Sequence, residues 1–95
     1  MAIRHYPAII EGDARTGYSV FFPDLPGCTS GGMTLQEAAL NAEQALSGHV
    51  DLMLDAGEAL PDPSVLDTLP RPIEPDVVEA ARLLVRVGVR EALPA

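Results

Sequence analysis

The residues of this chain best suited to chemistry are its carboxylates, fourteen aspartates and glutamates in 95 residues. Clusters of carboxylates hold the metal ions of many enzymes that hydrolyse nucleic acids, so their placement decides whether such a site can form. Glu11 and Asp13 lie at one predicted turn, Asp24 precedes another, and Glu37 belongs to the start of a predicted helix. Because these positions fall in separate segments with other roles, the sequence favours an acidic surface over a metal site.

The other chemical groups are two histidines and one cysteine. His5 and His49 are far apart in the sequence, and the single thiol of Cys28 can build neither a zinc cluster nor an intramolecular disulfide. Cys28 and His49 could act as nucleophile and base, but nothing supplies a third orienting group or an oxyanion hole. We expect His49 to be packed or at an interface and His5 to be exposed. Gly31-Gly32 lacks the pattern of a phosphate-binding loop. The sequence thus predicts no catalytic residue, no metal and no cofactor.

Net charge limits the class of partner. Six arginines against fourteen carboxylates give a formal net charge of −8 at pH 7. A surface of this sign repels phosphate backbones and attracts basic proteins, so we expect no direct binding of DNA or RNA. No apolar run approaches the roughly 20 residues needed to span a bilayer. No charged start is followed by the apolar core of a secretory signal. The composition predicts a cytoplasmic domain that does not enter a membrane.

The elements that must position these groups begin with strands. Residues 3–11 carry β-branched and aromatic side chains and end at turn residues, which is typical of a strand. Pro7 cannot donate a hydrogen bond to a neighbouring strand, so it indicates a sheet edge or a bulge. Residues 17–22 predict a second strand in a hairpin with the first, and residues 28–30 predict a short third strand.

A long helix is the clearest predicted element. Thr34 and Glu37 form a capping box, in which the hydroxyl and the carboxylate each satisfy a backbone N–H. Gly57 is suited to the position that follows a helix, so the helix is predicted to end near Ala56. At 100° per residue, an apolar face about 80° wide contains Leu35, Ala39, Ala42, Leu46, Val50 and Met53. We expect this face to lie on the sheet, and the opposite, acidic face to be solvated.

The remaining chain predicts an irregular connection and a last strand. Five prolines fall between residues 58 and 75, which indicates a stiff connection without a second core. Residues 76–80 could start with a helical turn, and residues 82–90 predict a strand with Leu83, Val85, Val87 and Val89 on one face. The order β-β-β-α-β predicts a single α+β domain over residues 1–95, with a small, mostly antiparallel sheet and one long helix on one face. The last strand can return beside the first.

Several segments resemble the HicB-type antitoxin family in sequence and order. They are Tyr6-Pro7-Ala8-Ile9-Ile10-Glu11, then Gly17-Tyr18 through Phe22-Pro23-Asp24-Leu25-Pro26-Gly27-Cys28, then Gly32-Met33-Thr34-Leu35-Gln36-Glu37-Ala38. Residues 41–46 and 60–64 keep the same order and spacing. The resemblance covers residues 5–64, with weaker similarity in the last strand at 82–90.

This resemblance implies a partial ribonuclease-H-like fold and an antitoxin role in a type II toxin–antitoxin system. Family members neutralise HicA-type toxins, which are small basic ribonucleases that cleave messenger RNA. Many members carry a C-terminal DNA-binding domain, and because this chain ends soon after residue 90 we expect none here. A metal-dependent ribonuclease-H-like nuclease is an alternative, but such a site needs a carboxylate in the middle of the first strand, and residues 3–10 contain none. An orphan HicB-like protein without a cognate toxin is a second alternative.

The turn at residues 24–28 is the candidate surface for binding a toxin. It offers the carboxylate of Asp24, expected to face solvent, and an apolar tip, and the candidate residues are Asp24, Leu25, Pro26 and Cys28. The alternative interpretation is a simple tight turn between strands. Asp51 and Asp55 of the helix are further candidates, because exposed carboxylates steer a basic partner.

Self-association, to at least a homodimer, is a further expectation. Pro7 indicates an exposed sheet edge near the first strand, and the core has only four aromatic residues to draw on. Pairing of edges or packing of sheet faces would bury apolar groups and add to the thin stability margin of so small a domain.

Overall fold

The computed structural model describes residues 2–72 and 74–90, which form one antiparallel sheet and one long helix. The strands follow the order β3-β2-β1-β4 across the sheet, so the last strand lies beside the first. The elements are β1 (Ala2–Asp13), β2 (Gly17–Phe21), β3 (Thr29–Gly32), α1 (Leu35–Asp55), a single 3₁₀ turn (Leu66–Thr68) and β4 (Glu79–Val89). The predicted α+β class and the β-β-β-α-β order are confirmed.

The strand β1 is central to the sheet over only part of its length. It pairs with β4 from Ala2 to Glu11, whereas β2 pairs with β1 only over residues 9–13. Pro7 therefore lies where β1 has a strand neighbour on one side alone, as its missing N–H predicts. Its side chain is nevertheless buried, so this position is not the exposed edge that the sequence suggested.

The core lies between the sheet and α1. One sheet face supplies the side chains of Tyr6, Ala8, Ile10, Val20, Phe22, Val85, Val87 and Val89. The helix supplies Ala38, Ala42, Leu46 and Val50. The predicted helix face was wrong at its start, because Leu35 is 41% exposed and Ala39 is only half-buried. The buried positions of α1 are spaced by four residues, and because one helical turn has 3.6 residues, the buried stripe winds around the helix and does not follow one fixed face.

Both helix ends agree with the sequence signals. The Thr34 hydroxyl oxygen accepts a hydrogen bond from the Glu37 N–H at 3.0 Å, and the Glu37 carboxylate accepts one from the Met33 N–H at 2.9 Å. Gly57 follows the helix with a φ of +74°, which a glycine adopts without strain. The outer helix face is less polar than predicted, because Leu52 is 70% exposed there.

The proline-rich connection at residues 58–72, here called the strap, runs over the domain and is held by side chains of the sheet. The Tyr6 hydroxyl donates a hydrogen bond to the Pro61 carbonyl oxygen at 2.6 Å. Farther along, the Arg82 guanidinium donates to the carbonyl oxygens of Leu69 at 2.7 Å and Pro70 at 2.6 Å. The helical turn predicted within residues 76–80 was wrong. The Val77 N–H instead closes a single turn over residues 74–77, and β4 begins at Glu79.

Candidate partner-binding site

The segment from Phe22 to Cys28 is a tight turn built by backbone hydrogen bonds. The Leu25 N–H donates to the Phe22 carbonyl at 3.0 Å, and the Cys28 N–H donates to the Leu25 carbonyl at 2.9 Å. Gly27 has a φ of +90°, a conformation that disfavours any other residue at this point of the turn. The turn therefore has a fixed shape, which decides where each of its candidate side chains points.

Asp24 does not face solvent as expected. Its carboxylate is half-buried and accepts two hydrogen bonds from Ser64, one from the backbone N–H at 2.7 Å and one from the hydroxyl at 2.5 Å. The expectation was wrong because the sequence does not reveal that the strap returns to this turn. In this arrangement Asp24 joins the turn to the strap.

Leu25 and Cys28 belong to the core, so the turn has no exposed apolar tip at Leu25. Both side chains are buried and pack among the residues that hold α1 against the sheet. The Cys28 thiol donates a hydrogen bond to the Ala45 carbonyl oxygen at 3.7 Å, and burial raises the pKa of this thiol. A thiol held in its neutral form is a poor nucleophile, which opposes the pairing of Cys28 with His49 in catalysis.

The turn and the end of α1 enclose a concave surface of about 330 Å³, here called the loop–helix groove. Pro26, Leu52 and Glu58 line it and are exposed. His49 also lines it and is half-buried, in keeping with the predicted packed histidine. The groove thus combines an apolar floor with one exposed carboxylate.

Asp51 and Asp55 lie away from this groove, on the side of α1 that faces β4. The Arg90 guanidinium donates a hydrogen bond to the Asp55 carboxylate, and it also reaches the Asp51 carbonyl oxygen at 3.5 Å. Asp51 and Arg90 line a separate shallow depression with residues of β1 and β4. The structure therefore separates the exposed candidates, with Pro26 at the loop–helix groove and Asp51 and Asp55 toward β4, and it places Leu25 and Cys28 in the core.

A third concavity, which the sequence did not predict, lies on the sheet face opposite to α1. This strap cavity has a volume of about 380 Å³ between the outer face of β1 and β2 and the strap. Its lining residues are Ile9, Glu11, Phe21, Pro23, Leu69, Pro70, Arg71, Pro72, Glu74 and Glu79. The available signal was the pair of apolar residues Ile9 and Phe21, which alternation assigns to the face away from the core.

An ion-pair network closes one end of the strap cavity. The Glu79 carboxylate binds Arg71 at 2.7 Å and Arg82 at 2.8 Å, and its side chain is only 9% exposed. The hydrogen bond from Arg82 is the main reason that the pKa of Glu79 lies below its ordinary value. Because Arg82 also binds the strap carbonyls, this network holds the strap against β4.

The described residues offer no metal site and no membrane span. Within residues 2–72 and 74–90, no three histidine, cysteine, aspartate or glutamate side chains are placed to hold a metal ion. In the same residues, no helix is long and apolar enough to cross a membrane. His5 is exposed at the outer face of β1, as predicted.

Solved structures show the same fold. The crystal structure of the N-terminal domain of Burkholderia pseudomallei antitoxin HicB superimposes with a TM-score of 0.67 at 30% identity, over 85% of this chain and 94% of that chain. A chain of the HicA3 and HicB3 toxin-antitoxin complex superimposes with a TM-score of 0.64 at 28% identity, over 95% of this chain and 100% of that chain.

Sequence relatives agree with the structural ones. Antitoxin HicB 2 of Photorhabdus laumondii is 39% identical over 59 residues, which are 62% of this chain and 42% of that protein. The matched segment is about two fifths of the full length of this and another curated relative. A family model for the HicB_like antitoxin of bacterial toxin-antitoxin systems matches residues 6–93, farther along the chain than the segments quoted above. With that match over nearly the whole chain and the shared fold, the chain belongs to the HicB-like antitoxin family.

Proposed function

We propose that this chain binds and neutralises a small, basic HicA-type ribonuclease toxin in the bacterial cytoplasm. The observation that carries the proposal is the similarity to a chain of the HicA3 and HicB3 toxin-antitoxin complex, which extends over 95% of this chain. The formal net charge of −8 supports it, because an acidic surface attracts a basic protein and repels RNA. Binding of this kind inhibits a ribonuclease by occupying the surface on which RNA phosphates would lie.

The role proposed here is binding, without catalysis. The burial of the Cys28 thiol and the absence of a three-residue metal cluster in the described parts of the chain both support it. The loop–helix groove is one candidate surface, through Pro26, Leu52 and Glu58, which are exposed around the tight turn. Asp51 and Asp55 would contribute mainly to the rate of association with a basic partner.

The experiment is co-expression with the protein encoded in an adjoining reading frame. We expect a neighbouring frame to encode a small basic protein that arrests growth and cleaves messenger RNA when expressed alone. Co-expression of this chain should restore growth, and the two proteins should copurify with nanomolar to micromolar affinity by calorimetry. A variant of that protein without ribonuclease activity serves as the binding probe without cleavage. Adjoining frames that encode no such protein, or one that this chain neither binds nor inhibits, would contradict the proposal and favour the orphan alternative.

We also propose that the chain forms a homodimer. In the described part of the chain, β4 pairs with β1 alone, so the other side of an eleven-residue strand has no strand neighbour. Antiparallel pairing of two β4 strands would satisfy these backbone groups. Light scattering at tens of micromolar protein should give twice the chain mass of 10.0 kDa. A particle of 10 kDa at that concentration would contradict the homodimer.

A further inference from the structure

The strap cavity is lined mainly by apolar residues and is suited to bind an apolar side chain. Ile9 and Phe21 face each other across the β1–β2 register and form its sheet side. Leu69, Pro70 and Pro72 of the strap form the opposite side. Both walls are held in place, because Arg82 binds the strap carbonyls at Leu69 and Pro70. A preformed apolar pocket of this kind accepts a side chain without a large ordering cost.

The rim of the same cavity is negatively charged. Glu11 and Glu74 line it, and in residues 2–72 and 74–90 neither carboxylate forms an ion pair or accepts a hydrogen bond. Glu11 also lines the adjoining depression together with Asp13 and Asp76. The neighbouring network of Arg71, Arg82 and Glu79 carries one net positive charge, so the rim and this network together keep a formal charge of −1.

The opposite end of the same sheet face has the opposite sign. His5 of β1 lies beside Arg86 of β4 in the register, and both are exposed. The outer face of the sheet therefore carries the guanidinium of Arg86 toward one end and the carboxylate of Glu11 at the other. A partner that approaches this face meets an electrostatic gradient that orients its own basic surface toward the strap cavity.

We propose that the strap cavity is the docking site for the basic partner, which inserts an apolar side chain between Phe21 and the strap while its flanking lysines or arginines face Glu11 and Glu74. This inference rests on the proposed function and names the surface that performs it. Charge does not separate this cavity from the loop–helix groove, whose carboxylates Asp24 and Glu58 also form no ion pair within residues 2–72 and 74–90. The strap cavity is favoured because apolar side chains of the sheet and of the strap enclose it on two sides.

Three single charge reversals test the site. Glu74→Lys changes the strap cavity rim, Glu58→Lys changes the loop–helix groove, and Glu43→Lys changes an exposed helix position that lines neither. All three change the net charge equally, so they separate a local contact from long-range attraction. We expect Glu74→Lys to weaken binding of the catalytically inactive toxin at least tenfold and the control Glu43→Lys to weaken it less than threefold. A larger loss in Glu58→Lys than in Glu74→Lys would place the toxin at the loop–helix groove and overturn the inference. Unchanged circular dichroism and thermal unfolding establish that each variant is folded.

Methyl spectroscopy supplies a readout that does not depend on charge. The Ile9 methyl groups line the strap cavity, and the Met53 methyl group lines the loop–helix groove. Addition of the inactive toxin should shift the Ile9 methyl signals and leave the Met53 signal in place.

The outcomes separate the two proposals. If the wild-type chain binds no basic protein from an adjoining frame, the proposed function fails and the docking site fails with it. If the wild-type chain binds but Glu74→Lys binds equally well, or the Met53 signal shifts and the Ile9 signals do not, only the docking site is overturned. A change in homodimer mass with Glu74→Lys, at unchanged toxin affinity, would assign the cavity to a second copy of the chain and overturn the inference as well.

Discussion

Asp24 and Ser64, 40 positions apart in the sequence, are joined by two hydrogen bonds to the same carboxylate. One comes from the Ser64 backbone N–H at 2.7 Å and the other from its hydroxyl at 2.5 Å. The bonds fasten the strap to the tight turn at the point where the strap leaves the helix side of the domain. Asp24, which the sequence predicted to be an exposed charge, thus stabilises the fold by binding the strap.

Replacement of Asp24 by alanine should therefore destabilise the fold. We expect the free energy of unfolding to fall by about 1–3 kcal/mol, because hydrogen bonds to a charged group are lost and the Ser64 N–H is left without its acceptor. Ser64→Ala, which keeps the charge and the backbone bond, should cost about 1 kcal/mol. Urea denaturation measures both, with Asp62→Ala as the exposed control.

Asp24→Lys and Ser64→Ala together resolve the role of Asp24 in toxin binding. Asp24→Lys should weaken binding more than tenfold if the carboxylate meets the toxin, as the sequence analysis predicts. Ser64→Ala retains that carboxylate and changes only its support. Equal losses of affinity in Asp24→Lys and Ser64→Ala would show that Asp24 acts by holding the turn, and unchanged affinity in both would remove it from the interface.

Tyr6→Phe should lower stability without changing the fold. The buried Tyr6 hydroxyl donates to the Pro61 carbonyl at 2.6 Å and accepts from Arg4 at 3.0 Å. Because Arg4 also donates to Pro61 at 3.0 Å, the carbonyl keeps one partner in the variant. The expected cost is about 0.5–1.5 kcal/mol of unfolding free energy, measured by thermal or urea denaturation. We expect this cost to be smaller than that of Asp24→Ala, and a larger loss of unfolding free energy in Tyr6→Phe would contradict the prediction.

Stability should decrease in acid through Glu79. Its pKa is lower in the folded chain than the ordinary 4.5, chiefly because of the hydrogen bond from Arg82. Its stabilising contribution is therefore complete above the ordinary value and is lost as the pH falls through the lower, folded-state value. We expect Glu79→Gln to be less stable than the wild type at pH 7 and to approach it in acid. A stability difference that stays constant from pH 7 to pH 2 would refute this linkage, and Glu43→Gln is the control on an exposed helix position.

The purified chain should not cleave RNA or RNA–DNA hybrids in Mg²⁺ or Mn²⁺. The only carboxylates of β1, Glu11 and Asp13, lie at its hairpin end, and the middle of the strand has none. Two-metal hydrolysis requires carboxylates that converge on one point, which the described residues do not provide. Gel assays of cleavage check this. Activity that copurifies with the chain and disappears in Glu11→Gln would count against a purely binding role.

Several elements of the fold could be predicted from the sequence because they depend on interactions between residues close together in the chain. The Thr34 and Glu37 cap, the Gly57 end and the alternation of β4 depend on neighbours within a few positions, and all three agree with the structure. The family segments from Tyr6 to Ala38 likewise identified the fold, since they contain the hairpin, the tight turn and the helix start.

Only the tertiary structure shows where the strap lies. The position of the strap in turn determines which residues line the strap cavity and how Asp24 is held beside the loop–helix groove. A proline-rich segment has no periodicity, so nothing in residues 58–72 reveals that Ser64 binds Asp24 or that Pro70 lines the same cavity as Phe21. The winding buried stripe of α1 was not predicted either, because a helical repeat gives an average apolar direction and not which position the sheet covers at each turn. Long-range contacts of this kind depend on the packing of the whole chain, which is why the turn at residues 24–28 was recognised in the sequence while the burial of Leu25 and Cys28 was not.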